Sequence, residues 1–162
     1  MQQETAIGTF LDLLKQGKSV LHTAEGYSMF PTLRPGDRVL VIPVNETEVT
    51  VPGSIIVVLN GNTLIIHRLV DIRQDNLNIK FFITRGDSMS ECDMPWQQNQ
   101  LIGTAVSYIR NDRERVIGSR TPSKYEYKRN RILLWGWMKM KRFEGLLLRR
   151  LGDSEAKRVE EG

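Results

Sequence analysis

The order of apolar and polar positions divides the chain into three stretches. Over residues 4–16, Ile7, Phe10, Leu11 and Leu14 recur at helical spacing, which predicts a short amphipathic helix docked on a core. Gly17 follows as a stop signal. From about 19 to 118 the pattern changes to short apolar runs punctuated by Gly, Pro, Asn and Asp. Runs at 19–23, 38–43, 54–59, 63–72, 77–84, 102–110 and 114–118 predict strands, and Asn60-Gly61-Asn62 predicts a hairpin between two of them. The helical period returns only after Pro122. Residues 130–151 predict a second helix, with Leu133, Trp137, Met140, Leu147, Leu148 and Leu151 on one side. Lys139, Arg142, Arg149 and Arg150 lie mostly opposite, while Glu144 interrupts the apolar side and Trp135 the basic one. The final GDSEAKRVEEG reads as a frayed tail.

This pattern predicts a mainly β protein, a coiled sheet or partly open barrel. Its expected organisation is an N-terminal helix over 1–18, a β domain over 19–120, a basic helical segment over 121–151 and a tail over 152–162. A length of 162 residues suits one such domain with a real core. The single cysteine, Cys92, excludes an internal disulfide framework and a multi-cysteine zinc site. With two histidines, His22 and His67, no structural metal site is expected, and nothing calls for a cofactor.

No secretory signal pattern opens the chain, and no run approaches the roughly 18 apolar residues of a membrane span. The expected address is therefore cytoplasmic. The net charge of +4 is unevenly placed. Residues 1–123 carry 12 basic against 13 acidic side chains, whereas 124–151 carry nine against two. The basic character belongs to the second helix and says little about the partners of the body.

Four residues are candidates for chemistry. Ser28 sits in the stiffly punctuated loop GYSMFPTLRPGD, His67 in the apolar run LIIHRLV, and Asp87 in ITRGD where a strand enters a glycine turn. Asp93 follows six residues later. Each has an ordinary reading by itself: a turn serine, a core histidine, two loop-capping aspartates. Together they carry more. A serine becomes a nucleophile only with a base in hydrogen-bond reach, and a histidine base needs an acceptor to fix its tautomer. His22 competes as the base but ranks lower, because the strand leading into the serine loop carries it away. Met29 and Phe30 are candidate walls of a substrate pocket, with packing beneath the loop as the alternative. Arg68 and Arg85 read as surface or loop-anchoring residues.

The same segments carry a family resemblance. SMFPTLRPGD resembles the serine box of signal peptidases, a clan that includes the LexA-type self-cleaving repressors. Where the bacterial members place a lysine, this chain has IIHRLV, which resembles the Ser-His-Asp branch of archaeal, eukaryotic and sporulation-type signal peptidases. ITRGDSMSECD is similar to the third box of that branch, and the three boxes span roughly residues 24–106 in family order. The resemblance implies the coiled β catalytic fold of that clan and a serine endopeptidase acting on a peptide or protein precursor. Ser28 would be the nucleophile, its backbone N–H an oxyanion donor, and His67 the general base. Asp87 would orient the histidine, with Asp93 as alternate or supporting acid. Many relatives carry a serine at the position of Gly26, so the second oxyanion donor is unassigned. The substrate would lie extended along a sheet edge, with small side chains near the scissile bond.

The resemblance also implies a leading transmembrane helix, and the short N-terminal helix does not supply one. Residues 131–151 offer a substitute, a basic helix suited to an anionic membrane surface, which would put the protein at the inner face of the membrane, with docking on the core or on a partner protein as the alternatives. Nucleic acid is not expected, since the 27 residues before Ser28 leave no room for a DNA-binding domain. A non-catalytic peptide-binding module and a self-cleaving regulator are the alternatives to a processing enzyme.

Overall fold

A computed structural model describes the backbone of residues 2–44 and 51–160, with side chains over 7–44 and 51–143. Helix α1 (Gln2–Lys15) leads into β1 (Val20–Thr23), β2 (Arg38–Pro43), β3 (Ile55–Asn60), β4 (Thr63–Gln74) and β5 (Lys80–Arg85). Then come β6 (Trp96–Gln97), a 3-10 turn (Gln98–Gln100), β7 (Leu101–Arg110), β8 (Arg113–Val116) and helix α2 (Lys124–Glu160). The seven predicted strands are present. The two-residue β6 is too short to leave a periodic signal.

The protein is mainly β, and the described residues form eight strands in one antiparallel sheet. Along the sheet the order is β1-β2-β7-β3-β4-β5-β6, and β8 pairs with β7. Strand β7 is the hub: β2 lies along one side, while β3 and β8 share the other end to end. The hairpin predicted at Asn60-Gly61-Asn62 joins β3 to β4 through a two-residue loop, in which Gly61 takes a left-handed φ of 57°.

Strand β3 explains why its sequence, IIVVL, does not alternate. Ile55 and Val57 enter one core with Val39, Val41, Ala105 and the α1 residues Phe10 and Leu14. Ile56 and Val58 enter a second core on the opposite face, with Leu69, Phe82 and Trp96. A strand buried on both faces reads as continuous apolar sequence. The α1 face predicted from Ile7, Phe10, Leu11 and Leu14 is the one that packs, Phe10 and Leu14 most deeply.

Helix α2 differs from expectation at both ends. It starts six residues before Asn130, because Ser123 and Glu126 form a reciprocal cap. Ser123 N–H donates to Glu126 Oε2 at 2.8 Å, and Glu126 N–H donates to Ser123 Oγ at 3.3 Å. The helix continues to Glu160 through the stretch read as a frayed tail, whose last two residues lie outside the described residues. On the predicted apolar side, Trp137 packs on the body whereas Leu133 and Met140 are exposed. The side chains of Glu144, Leu147, Leu148, Arg149, Arg150 and Leu151 lie outside the described residues.

Candidate active site

The loop between β1 and β2 is held in a defined shape by its own backbone and one buried carboxylate. Ala24 N–H donates to Asp37 O at 2.8 Å, and Gly36 N–H donates to Ala24 O at 2.8 Å, closing the loop's neck. Asp37 accepts Arg34 N–H at 2.7 Å and the Arg110 Nε–H at 2.8 Å, and Arg110 also donates to Thr32 O at 3.0 Å. The bond to Asp37 holds the Arg110 guanidinium above its ordinary pKa. Inside the loop Leu33 N–H donates to Met29 O at 3.0 Å, and Met29 and Leu33 plug into the first core. The stiffness expected from Pro31 and Pro35 is thus shared with an ion pair reaching across from β7.

Ser28 stands at the head of this loop. Its Oγ lies 2.9 Å from His67 Nε2, and His67 Nδ1 lies 2.6 Å from Asp93 Oδ2. An ionised carboxylate only accepts, so the Asp93 contact puts the ring proton on Nδ1. Nε2 is then free to accept the Ser28 hydroxyl proton. Half-burial by itself would raise the Asp93 pKa, but hydrogen bonds from His67 and Thr84 and the charge on His67 outweigh it. The carboxyl therefore sits below the usual range. The Thr84 hydroxyl donates to the same Asp93 oxygen and accepts the Trp96 indole N–H at 2.7 Å, so a second-core side chain fixes the acid in turn.

The expected pairing of His67 with Asp87 differs from this geometry, in which Asp93, the alternate acid, is the residue His67 contacts. Asp87 is 1 % exposed and makes a two-pronged ion pair with Arg68, Nε to Oδ1 at 2.8 Å and Nη2 to Oδ2 at 2.8 Å. It also accepts the Thr32 hydroxyl, tying the serine loop to the β5–β6 connection. Strand alternation is the reason. His67 and Arg68 are neighbours on β4 and project to opposite faces. Leu69, on the His67 face, pairs with Thr84. Past the turn at 86–88 the chain doubles back, and Asp93 N–H donates to Thr84 O at 2.8 Å, delivering Asp93 to the His67 face and leaving Asp87 on the other.

Arg68, read as a surface or loop-anchoring residue, is therefore a buried one, 4 % exposed and also donating to Gly53 O at 2.7 Å. Arg85 does anchor its loop, donating to Met89 O at 2.9 Å and lying 3.7 Å over the Tyr127 ring.

Ser88 was not singled out by the sequence. Its N–H donates to Ser28 O at 2.9 Å, and its hydroxyl donates to Tyr27 O at 2.8 Å. Gly86 allows this approach, since a Cβ there would sit 2.6 Å from Ser28 O. The only sequence signal for either residue is the Gly-Asp-Ser turn itself.

His22 makes no contact with Ser28. Its ring packs edge-on to Phe10 at 5.5 Å, and desolvation lowers its pKa against the pull of Glu25. It does line, with Ala24, Gly26, Met29, Leu33, Leu64 and Ile66, a cleft of about 240 Å³ that opens on Ser28 and His67. Of the two candidate pocket walls, Met29 lines this cleft and Phe30 does not. Phe30 packs 5.7 Å from Trp137 of α2 and beneath Arg34. A Cβ at Gly26 would meet nothing within 4 Å, so a serine would fit there sterically. Among the described residues the Ser28 N–H has no acceptor, and no three acidic, histidine or cysteine side chains converge on a metal position.

Two strand edges border the cleft. On its β5 side, β4 is paired only from Arg68 onward, which leaves residues 63–67 without a ladder partner there among the described residues. Among the described residues β1 pairs with β2 alone. Among the described residues no helix is long and apolar enough to cross a membrane. No protein-family model and no curated protein sequence matches the chain.

Proposed function

We propose that the protein is a serine endopeptidase of the signal-peptidase-like type, acting on an extended segment of a peptide or protein precursor. The observation that carries this reading is the continuous contact from Ser28 Oγ through the His67 ring to Asp93, at 2.9 and 2.6 Å, at the mouth of a cleft. Such a chain makes the oxygen of a neutral hydroxyl nucleophilic and gives its proton a destination.

In the proposed reaction His67 Nε2 takes the Ser28 proton as Oγ bonds to the scissile carbonyl carbon. The Ser28 N–H donates to the oxyanion that forms. As the C–N bond breaks, the imidazolium returns its proton to the leaving amine, and an ester to Ser28 remains. Water, deprotonated by the same nitrogen, hydrolyses that ester and restores the hydroxyl. Asp93 stays ionised throughout, holding the ring and offsetting its transient charge. The unpaired edge at 63–67 and the apolar lining of Met29, Leu33, Leu64 and Ile66 suit a peptide added as a strand with small or apolar side chains.

The test is incubation of the full chain with a complex peptide mixture and mass-spectrometric identification of new termini. Wild type is expected to produce a consistent set of internal cleavages that Ser28→Ala abolishes. Identical termini from both proteins would contradict the proposal.

A further inference from the structure

Helix α2 is seated on the candidate site at one face and left bare at the other. On the inner face Tyr127, Asn130, Leu134 and Trp137 recur at i, i+3, i+7 and i+10. Asn130 donates to the Asp87 carbonyl at 3.0 Å, and Trp137 packs 5.5 Å from Tyr27 and 5.7 Å from Phe30. Burial pushes the Tyr127 phenol up to about 12, with the charge of Asp87 adding to the rise. The helix base is thus fixed to the backbone around Ser28 and Asp87.

The outer face is apolar and bordered by cations. Ile132, Gly136, Met140 and Phe143 recur at i, i+4, i+8 and i+11, with Ile132 60 %, Met140 51 % and Phe143 62 % exposed. Along one flank run Lys128, Arg131, Trp135, Lys139 and Arg142, with the Lys139 ammonium 4.1 Å over the Trp135 ring. Lys128, Arg131, Ile132 and Trp135 line a shallow hollow between stripe and flank. Over 124–143 there are seven basic residues and one acidic, and that one, Glu126, is paired with Arg120.

A helix surrounded only by water gains nothing from presenting an isoleucine, a methionine, a phenylalanine and a tryptophan together. An apolar stripe edged by cations and a tryptophan matches the headgroup layer of an anionic bilayer: side chains enter the acyl boundary while lysine and arginine meet lipid phosphates. A second copy of this chain would set like charges against like. We propose that the outer face of α2 docks on an anionic lipid surface and, through its seat, holds the Ser28 cleft at the membrane. This goes beyond the peptidase reading and stands on separate residues.

The full chain is pelleted with sucrose-loaded vesicles of phosphatidylcholine alone or with about one-third phosphatidylglycerol. Wild type is expected to pellet with the anionic vesicles only and to be released by roughly 0.5 M salt. The double variant Ile132→Glu, Phe143→Glu should partition about 100-fold more weakly. Lys139→Glu, Arg142→Glu should also bind more weakly. Both variants are checked for unchanged helix content and thermal midpoint. Ser28→Ala should pellet like wild type, so failure of the enzymatic reading leaves this result untouched. Three results would overturn the proposal: equal pelleting with neutral vesicles, pelleting with neither, or a wild-type dimer that the stripe substitutions dissociate.

Discussion

Asp87 and Asp93 are six residues apart, and their surroundings assign them different work. Asp93 is partly open, shares its oxygen with His67 and Thr84, and has its pKa depressed by them. Asp87 is fully enclosed and spent on Arg68 and Thr32. The two should fail differently when changed. Asp93→Asn replaces the acceptor-only carboxylate with an amide that can donate to His67 Nδ1 and so no longer fixes the tautomer, and peptide turnover should fall by about 10⁴ with the thermal midpoint little changed. Asp87→Ala leaves the Arg68 guanidinium buried without its partner, and such breaks cost about 3–5 kcal/mol, so the midpoint itself should drop sharply. Turnover and thermal denaturation on the two variants check both statements. A collapse of activity without loss of stability in Asp87→Ala would reverse the assignment.

At the scale of elements, the start of α2 has its own pH signature. The bond from Arg120, together with the Ser123 cap, holds the partly buried Glu126 carboxyl at about 2. A depressed carboxylate favours the folded state above its ordinary value, about 4.3, and loses that contribution as pH falls towards its folded value. Removing the cap by Ser123→Ala should cost about 1 kcal/mol near neutral pH. Glu126→Gln removes the carboxylate itself, so its difference from wild type should narrow between about pH 4.3 and pH 2, as Glu126 protonates in wild type. Denaturant melts across that range provide the check.

The Ser-x-x-Glu pattern of this cap is present at residues 123–126, but it precedes the apolar periodicity, which becomes regular only from Asn130 onward. Strands were legible because each apolar run was followed within a few residues by Gly, Asn, Asp or Pro. β6 was not, since two residues hold no period. Ser28, an ordinary serine by itself, stood out only beside His67, one of two histidines in the chain. Which aspartate served His67 was not legible, because the answer depends on how residues 86–93 double back, and loop conformation leaves no periodic trace. Ser88, Thr84 and Trp96 were invisible for a related reason: their roles arise from tertiary contacts across the sheet.

On the scale of the whole molecule, the site is assembled from parts that belong to different layers. Met29 and Leu33 root the serine loop in the core beneath α1, whereas Trp96 and Thr84 hold Asp93 from the core on the opposite face of β3. Arg110 of β7, Ser88 after β5 and Asn130 of α2 then bind the loop and the acid turn together. Local structure in one hairpin could not reproduce this arrangement. Ser28 should be reactive only in the intact fold, and that dependence separates an activated serine from an accessible one.

The most direct measurement is intact mass after exposure to a serine-reactive fluorophosphonate. Folded wild type is expected to gain one adduct, mapped to Ser28, while Ser28→Ala, His67→Ala and wild type unfolded beforehand gain none. A folded wild type that stays unlabelled, or an adduct that persists in His67→Ala, would contradict the account.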